Sequence, residues 1–155
     1  MKYYSNPYKF KCMNINKFDK NDYSNERAGY LEITVIDAQT GMPIKDVDIE
    51  VFILTISGNY AEKGISQLIE RYSTDENGTI PILELPLIEW PNNRYFALID
   101  VFGYYSITIV NIPIYEEIKT IYNVEMNLIT SPTPIREYIR TPSKTEYYTS
   151  PLWYF

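Results

Sequence analysis

Three carboxylates recur with a spacing of two at Asp46, Asp48 and Glu50, and a row of this kind is the first place to look for chemistry. Calcium takes six or more oxygen ligands, and a strand carrying several carboxylates on one face supplies some of them. The i, i+2, i+4 spacing spreads the three groups over about 14 Å at strand rise, however, and a calcium site needs ligands that converge. A solvated face of an acidic sheet is the simpler reading. Lys45, Asn123 and Glu32 make up a second set of suitable types, because a lysine amine can attack an asparagine amide with a carboxylic acid assisting. Only a buried, neutral amine attacks, and Lys45 falls in a turn. Glu116 and Glu117 read as a solvated turn, and no spacing singles out a carboxylate pair for glycoside hydrolysis. Trp90 with Tyr95, or Tyr104 with Tyr105, offers faces for stacking on sugar rings, although aromatic residues at such places more commonly pack beside a core.

What is missing narrows the chemistry further. The chain of 155 residues has no histidine, which removes the commonest general base and metal ligand. Cys12 is the single cysteine, so no internal disulfide forms. It is either an idle thiol or a bridge between subunits. Nucleophile elbows, phosphate-cradling loops and zinc spacings are absent, and there are only six glycines from which to build a phosphate loop. These absences predict a chain that is not an enzyme, with no catalytic residue, no cofactor and no metal.

The elements that would position these residues are strands. Apolar residues alternate at Leu31, Ile33 and Val35, and again at Val47, Ile49, Val51 and Ile53, with acidic residues between them. One buried and one wet face is the mark of an antiparallel sheet. Turn signals fall at Thr40-Gly41-Met42-Pro43, at Asp75-Glu76-Asn77-Gly78 and at Gly103. Residues 64–73 suit a helical turn or a strand, and the hairpin signal after them favours the strand. Thr79 to Leu85 forms the next strand, placed at an edge by Pro81. Residues 95–101, 104–111 and 120–129 supply three more. The pattern predicts an all-β, seven-stranded sandwich over residues 30–129.

The ends differ in composition. Residues 1–29 carry a net charge of +3, residues 130–155 carry +1, and the body between them carries −10, for a total of −6. That balance argues against nucleic acid as a partner, because phosphate needs a basic footprint. Half of the 16 tyrosines lie in the two ends, with Pro132, Pro134, Pro142 and Pro151 in the second. Aromatic residues bury, so both ends read as extended arms that dock on their own body or on a neighbour. The candidate contact residues are Tyr3, Tyr4, Tyr8, Cys12, Tyr147, Tyr148, Trp153, Tyr154 and Phe155. No stretch of 18 apolar residues spans a membrane, and Met1 to Phe10 has no apolar signal-peptide core.

A resemblance to a known family rests on three groups of residues. Gly29-Tyr30-Leu31 followed by Thr40-Gly41-x-Pro43-Ile44-x-x-Val47-x-Ile49-x-Val51 resembles the opening of carboxypeptidase-regulatory-like domains. Thr74-Asp75-x-Asn77-Gly78 and the strand ending at Gly103-Tyr104 are similar to later landmarks of that family. Gly103-Tyr104-Tyr105, Asn111-Ile112 and Thr120-Ile121-x-Asn123-Val124-x-Met126-x-Leu128 resemble the version that accompanies spore cortex-lytic and peptidoglycan-binding proteins of endospore-forming bacteria. The resemblance implies a transthyretin-like (prealbumin-like) antiparallel Greek-key sandwich and a spore or cell-surface setting. With the arms, it leads to the expectation of a non-catalytic structural or assembly subunit that joins copies of itself or another envelope protein. The alternative expectation is an accessory module for glycan or peptidoglycan.

Overall fold

The computed structural model describes residues 11–12, 27–57, 63–89, 92–130 and 135–148. Among them every regular element is a strand: β1 (Lys11–Cys12), β2 (Ala28–Asp37), β3 (Asp48–Ser57), β4 (Lys63–Ser73), β5 (Leu83–Pro86), β6 (Asn93–Asp100), β7 (Ile107–Ile112), β8 (Ile118–Met126), β9 (Glu137–Ile139) and β10 (Lys144–Tyr147). Two sheets result, in the orders β1-β4-β3-β6-β7-β9 and β10-β8-β2-β5. No helix among the described residues is long and apolar enough to cross a membrane.

Alternation placed the core as expected. Leu31, Ile33, Val35, Val47, Ile49 and Val51 are wholly buried between the sheets, together with Ala97, Ile99, Ile109 and Val124, and Ile53 is nearly so. Each large side chain of this kind stabilises the fold by roughly 1.5–3 kcal/mol through removal from water. Residues 64–73 belong to β4, which pairs with β3 along its whole length, so the hairpin signal outweighed the helical one. The turn after it forms around Asp75, whose Oδ1 accepts the backbone N–H groups of Asn77 and Thr79 and the Thr79 hydroxyl. Gly78 there has a φ of 71° and lies against the Val35 carbonyl.

The expectation of seven purely antiparallel strands needs correction. The sheets are mixed: β2 runs parallel to β8, β7 parallel to β9 and β1 parallel to β4. Parallel neighbours come from distant parts of the chain, and the pattern of each strand says nothing about direction. The three extra strands come from the ends. The backbone of Cys12 pairs with Ser66 at the edge of the larger sheet. Residues 135–148 supply β9 to the larger sheet and β10 to the smaller one. These additions are made within one chain and cover edges that would otherwise expose backbone hydrogen-bonding groups.

Candidate functional site

Two stretches of chain meet at one end of the sheets: residues 87–89 after β5, and residues 113–117 between β7 and β8. A break in pairing shapes this end. Tyr95 pairs with Ile112 and Ala97 with Ile109, so Val110 and Asn111 together face Phe96 alone. The extra residue is a β-bulge, a device that bends a strand and re-aims a side chain. It puts Asn111 at a φ of 54°, a left-handed conformation that asparagine tolerates better than branched residues do. The bulge also shifts the phase of β7, which lets Ile109 and Ile112 both enter the core although they are three residues apart.

The second connection is held from below. Thr120, fully buried, donates its hydroxyl to the Pro113 carbonyl at 2.6 Å. The Glu117 N–H donates to the Ala28 carbonyl at 3.0 Å, and Arg27 meets Glu116 at 3.1 Å. Gly29 allows this approach: a Cβ there would lie 2.3 Å from the Tyr115 carbonyl oxygen. On the other side, the buried Tyr95 hydroxyl donates to the Pro86 carbonyl at 2.8 Å. The Thr55 hydroxyl donates to Asn93 at 3.0 Å.

Between these supports lies a cleft of about 320 Å³. Ile88, Ile112, Pro113, Ile114 and Tyr115 form its apolar walls, and Asn93, Arg94 and Asn111 bring polar groups to it. The Asn111 side-chain amide makes no hydrogen bond among the described residues. Tyr122, which does not line the cleft, is 1% exposed and its hydroxyl has no partner among the described residues. Burial pushes this phenol far above its ordinary range, and the neighbouring Tyr115 phenol raises it further. Such a cleft holds a molecule by shape and a few hydrogen bonds; its lining includes no carboxylate or thiol.

The residues singled out in the sequence lie elsewhere. Asp48 and Glu50 are bridged by Arg71 at 3.6 and 3.4 Å, Asp46 sits in a turn at a φ of 59°, and no group of metal-ligating side chains forms among the described residues. Lys45 pairs with Glu76 at 3.3 Å, whereas Glu32 pairs with Lys119 at 2.7 Å, so Lys45, Asn123 and Glu32 are not brought together. Tyr95 and Tyr105 are buried and Tyr104 is half-buried, packed against the core with its hydroxyl on Asp37, so none offers an open ring face of the kind a sugar needs; Trp90 lies outside the described residues. Tyr147 is largely exposed on β10, and the Tyr148 ring meets Tyr30 edge-on at 4.5 Å. The side chains of Tyr3, Tyr4, Tyr8, Cys12, Trp153, Tyr154 and Phe155 lie outside the described residues. Sequence reasoning missed the end cleft. The available signal was the lost alternation in Ile107, Ile109 and Ile112, with an asparagine at the break.

No family model matches the chain, and no curated protein matches it. Solved structures that it is similar to include a 3-chlorocatechol 1,2-dioxygenase from Rhodococcus opacus, with 16% identity, a TM-score of 0.43, and coverage of 81% of this chain and 66% of that one. The catechol 1,2-dioxygenase of Acinetobacter radioresistens gives 14% identity, a TM-score of 0.43, and coverage of 80% and 62%. The chain thus spans less than two thirds of the length of either. These findings correct the resemblance read from the sequence: no family model or curated protein supports a carboxypeptidase-regulatory-like or spore family, and the solved structures named here are catechol dioxygenases. The expectations of a non-catalytic assembly subunit, of a chain that is not an enzyme and of a spore or envelope role are withdrawn with it, since no comparison supports the family on which they leaned. The motifs behind the resemblance are turn and alternation signals, which many sheet proteins share for the same steric reasons.

Proposed function

We propose that this protein binds a small, largely apolar molecule in the end cleft, with one hydrogen-bonding end directed to Asn111. The observation that carries the reading is the bulge: it sets an asparagine with an unengaged side-chain amide at the rim of a cleft with apolar walls. A volume of about 320 Å³ lies in the range of small-ligand sites, which combine apolar walls with a few placed polar groups.

No step of oxygen chemistry is assigned to the cleft. Dioxygen chemistry is carried by a metal or an organic cofactor. The chain has no histidine, and no three His, Cys, Asp or Glu side chains gather to hold a metal among the described residues. Among the described residues the donor set does not fit a metal centre built on His, Cys, Asp or Glu.

The test is a thermal-shift and calorimetric screen of the full chain against small aromatic and aliphatic acids, alcohols and diols, with catechol among the probes. A binder should lose about tenfold in affinity on Asn111→Gly, which keeps the left-handed backbone and removes the amide. Equal affinity in that variant, or no binder in the panel, removes the proposal.

A further inference from the structure

A second concavity lies on the outer face of the larger sheet, away from the end cleft, and its volume is about 180 Å³. Strand register builds it from two rows of side chains. Arg71, Glu50, Leu98 and Thr108 are successive cross-strand partners from β4 to β7. Beside them, Asp48 pairs with Asp100 across β3 and β6. Ser106 and Arg136 extend that second row, since the Glu137 N–H donates to the Ser106 carbonyl at 3.0 Å.

Three features of this groove are unresolved within the chain. Asp48 and Asp100 stand directly opposite each other, an arrangement that costs stability when both carry charge. Asp48 has Arg71 at 3.6 Å and Asp100 accepts the Ser106 hydroxyl at 2.7 Å, which leaves acceptor capacity on both carboxylates. Thr108 is 8% exposed, lines the groove, and its hydroxyl has no hydrogen-bond partner among the described residues. Its neighbours Ile107 and Ile109 point into the core, so its own side chain stands on the groove face. Arg136 also lines the groove and forms no ion pair among the described residues.

The mixed signs decide the ligand class. A bare divalent cation is disfavoured by two guanidinium groups in the lining and by the absence of a three-ligand cluster among the described residues. A simple anion is disfavoured by Asp48, Glu50 and Asp100. We propose that the groove binds a small zwitterion of the amino-acid type, its ammonium between Asp48 and Asp100 and its carboxylate toward Arg136 and the Thr108 hydroxyl. An ammonium offers three donors to the two carboxylates and relieves their repulsion. A guanidinium matches a carboxylate in shape, and the threonine hydroxyl gains the acceptor it lacks. The small volume limits the side chain to a few atoms.

The experiment follows the amide resonances of the isotope-labelled full chain during titration with L-alanine, propionate and ethylamine. L-alanine should shift resonances at Leu98–Asp100 and Ser106–Thr108, and each single-charge probe should bind at least about tenfold more weakly. Arg136→Ala and Asp100→Asn should each weaken L-alanine about tenfold. Thr108→Val, which removes only the unpartnered hydroxyl, should weaken it severalfold without lowering the melting temperature. Propionate or ethylamine binding as tightly as L-alanine overturns the proposal, as does unchanged affinity in Arg136→Ala or no shift at these strands. Asn111→Gly leaves this groove untouched, so its behaviour separates the two sites.

Discussion

The Tyr104 hydroxyl donates to Asp37 Oδ2 at 2.7 Å across 67 residues of sequence, and it ties the β6–β7 turn to the end of β2. The other oxygen of Asp37 accepts the N–H groups of Gln39 and Thr40. The Tyr104 hydroxyl first, and then the backbone N–H groups, hold this carboxyl below its ordinary value of 3.8, while the carboxylate pushes the Tyr104 phenol upward.

The sign of the consequence follows from linkage. A carboxyl whose folded pKa is depressed contributes stability that is present above its unfolded value and is lost as pH falls through the folded one. Thermal melts across the acid range should therefore show Tyr104→Phe destabilised near neutrality, with the gap to the parent narrowing below about pH 4. A gap independent of pH would mean that the phenol packs without supporting the charge.

Thr74 is 2% exposed and does two jobs: its hydroxyl donates to the Ile44 carbonyl at 2.7 Å and accepts the Val47 N–H at 3.0 Å. Thr74→Val keeps the shape and strands both backbone groups. Denaturant unfolding should register a loss of roughly 1–3 kcal/mol. A change below a few tenths would show that water reaches these groups.

Gly29→Ala puts a methyl group 2.3 Å from the Tyr115 carbonyl, against backbone that is itself pinned by Thr120. Overpacking of this sort costs about 1–3 kcal/mol. Because the same segment walls the end cleft, any ligand found there should also bind more weakly to Gly29→Ala. Full stability together with unaltered binding would show that the connection moves freely.

Tyr122→Phe tests the orphaned hydroxyl. Removing a buried polar group that has no partner should leave stability unchanged or raise it by up to about 1 kcal/mol. Destabilisation beyond about 1 kcal/mol would reveal a bound water or another partner at that oxygen.

The sites were less legible than the strands for a definite reason. The acidic row at Asp46, Asp48 and Glu50 was visible as a pattern, but its chemistry depends on Arg71, Asp100 and Thr108, which reach it only through pairing with β4, β6 and β7. Asn111 looked like one polar residue in an apolar run, and only its position opposite Phe96 makes it a bulge.

What the sequence determined by itself was the period of two, which set strand identity, the buried faces of β2 and β3, and the turns at Asp75–Gly78 and Gly103. These are local matters: alternation, left-handed φ and capping act within a few residues. Strand direction, the pairing of the end strands and the meeting of Asp48 with Asp100 were decided only by tertiary structure. Pairing joins residues dozens of positions apart, and the side-chain alternation of a strand is the same for a parallel or an antiparallel neighbour.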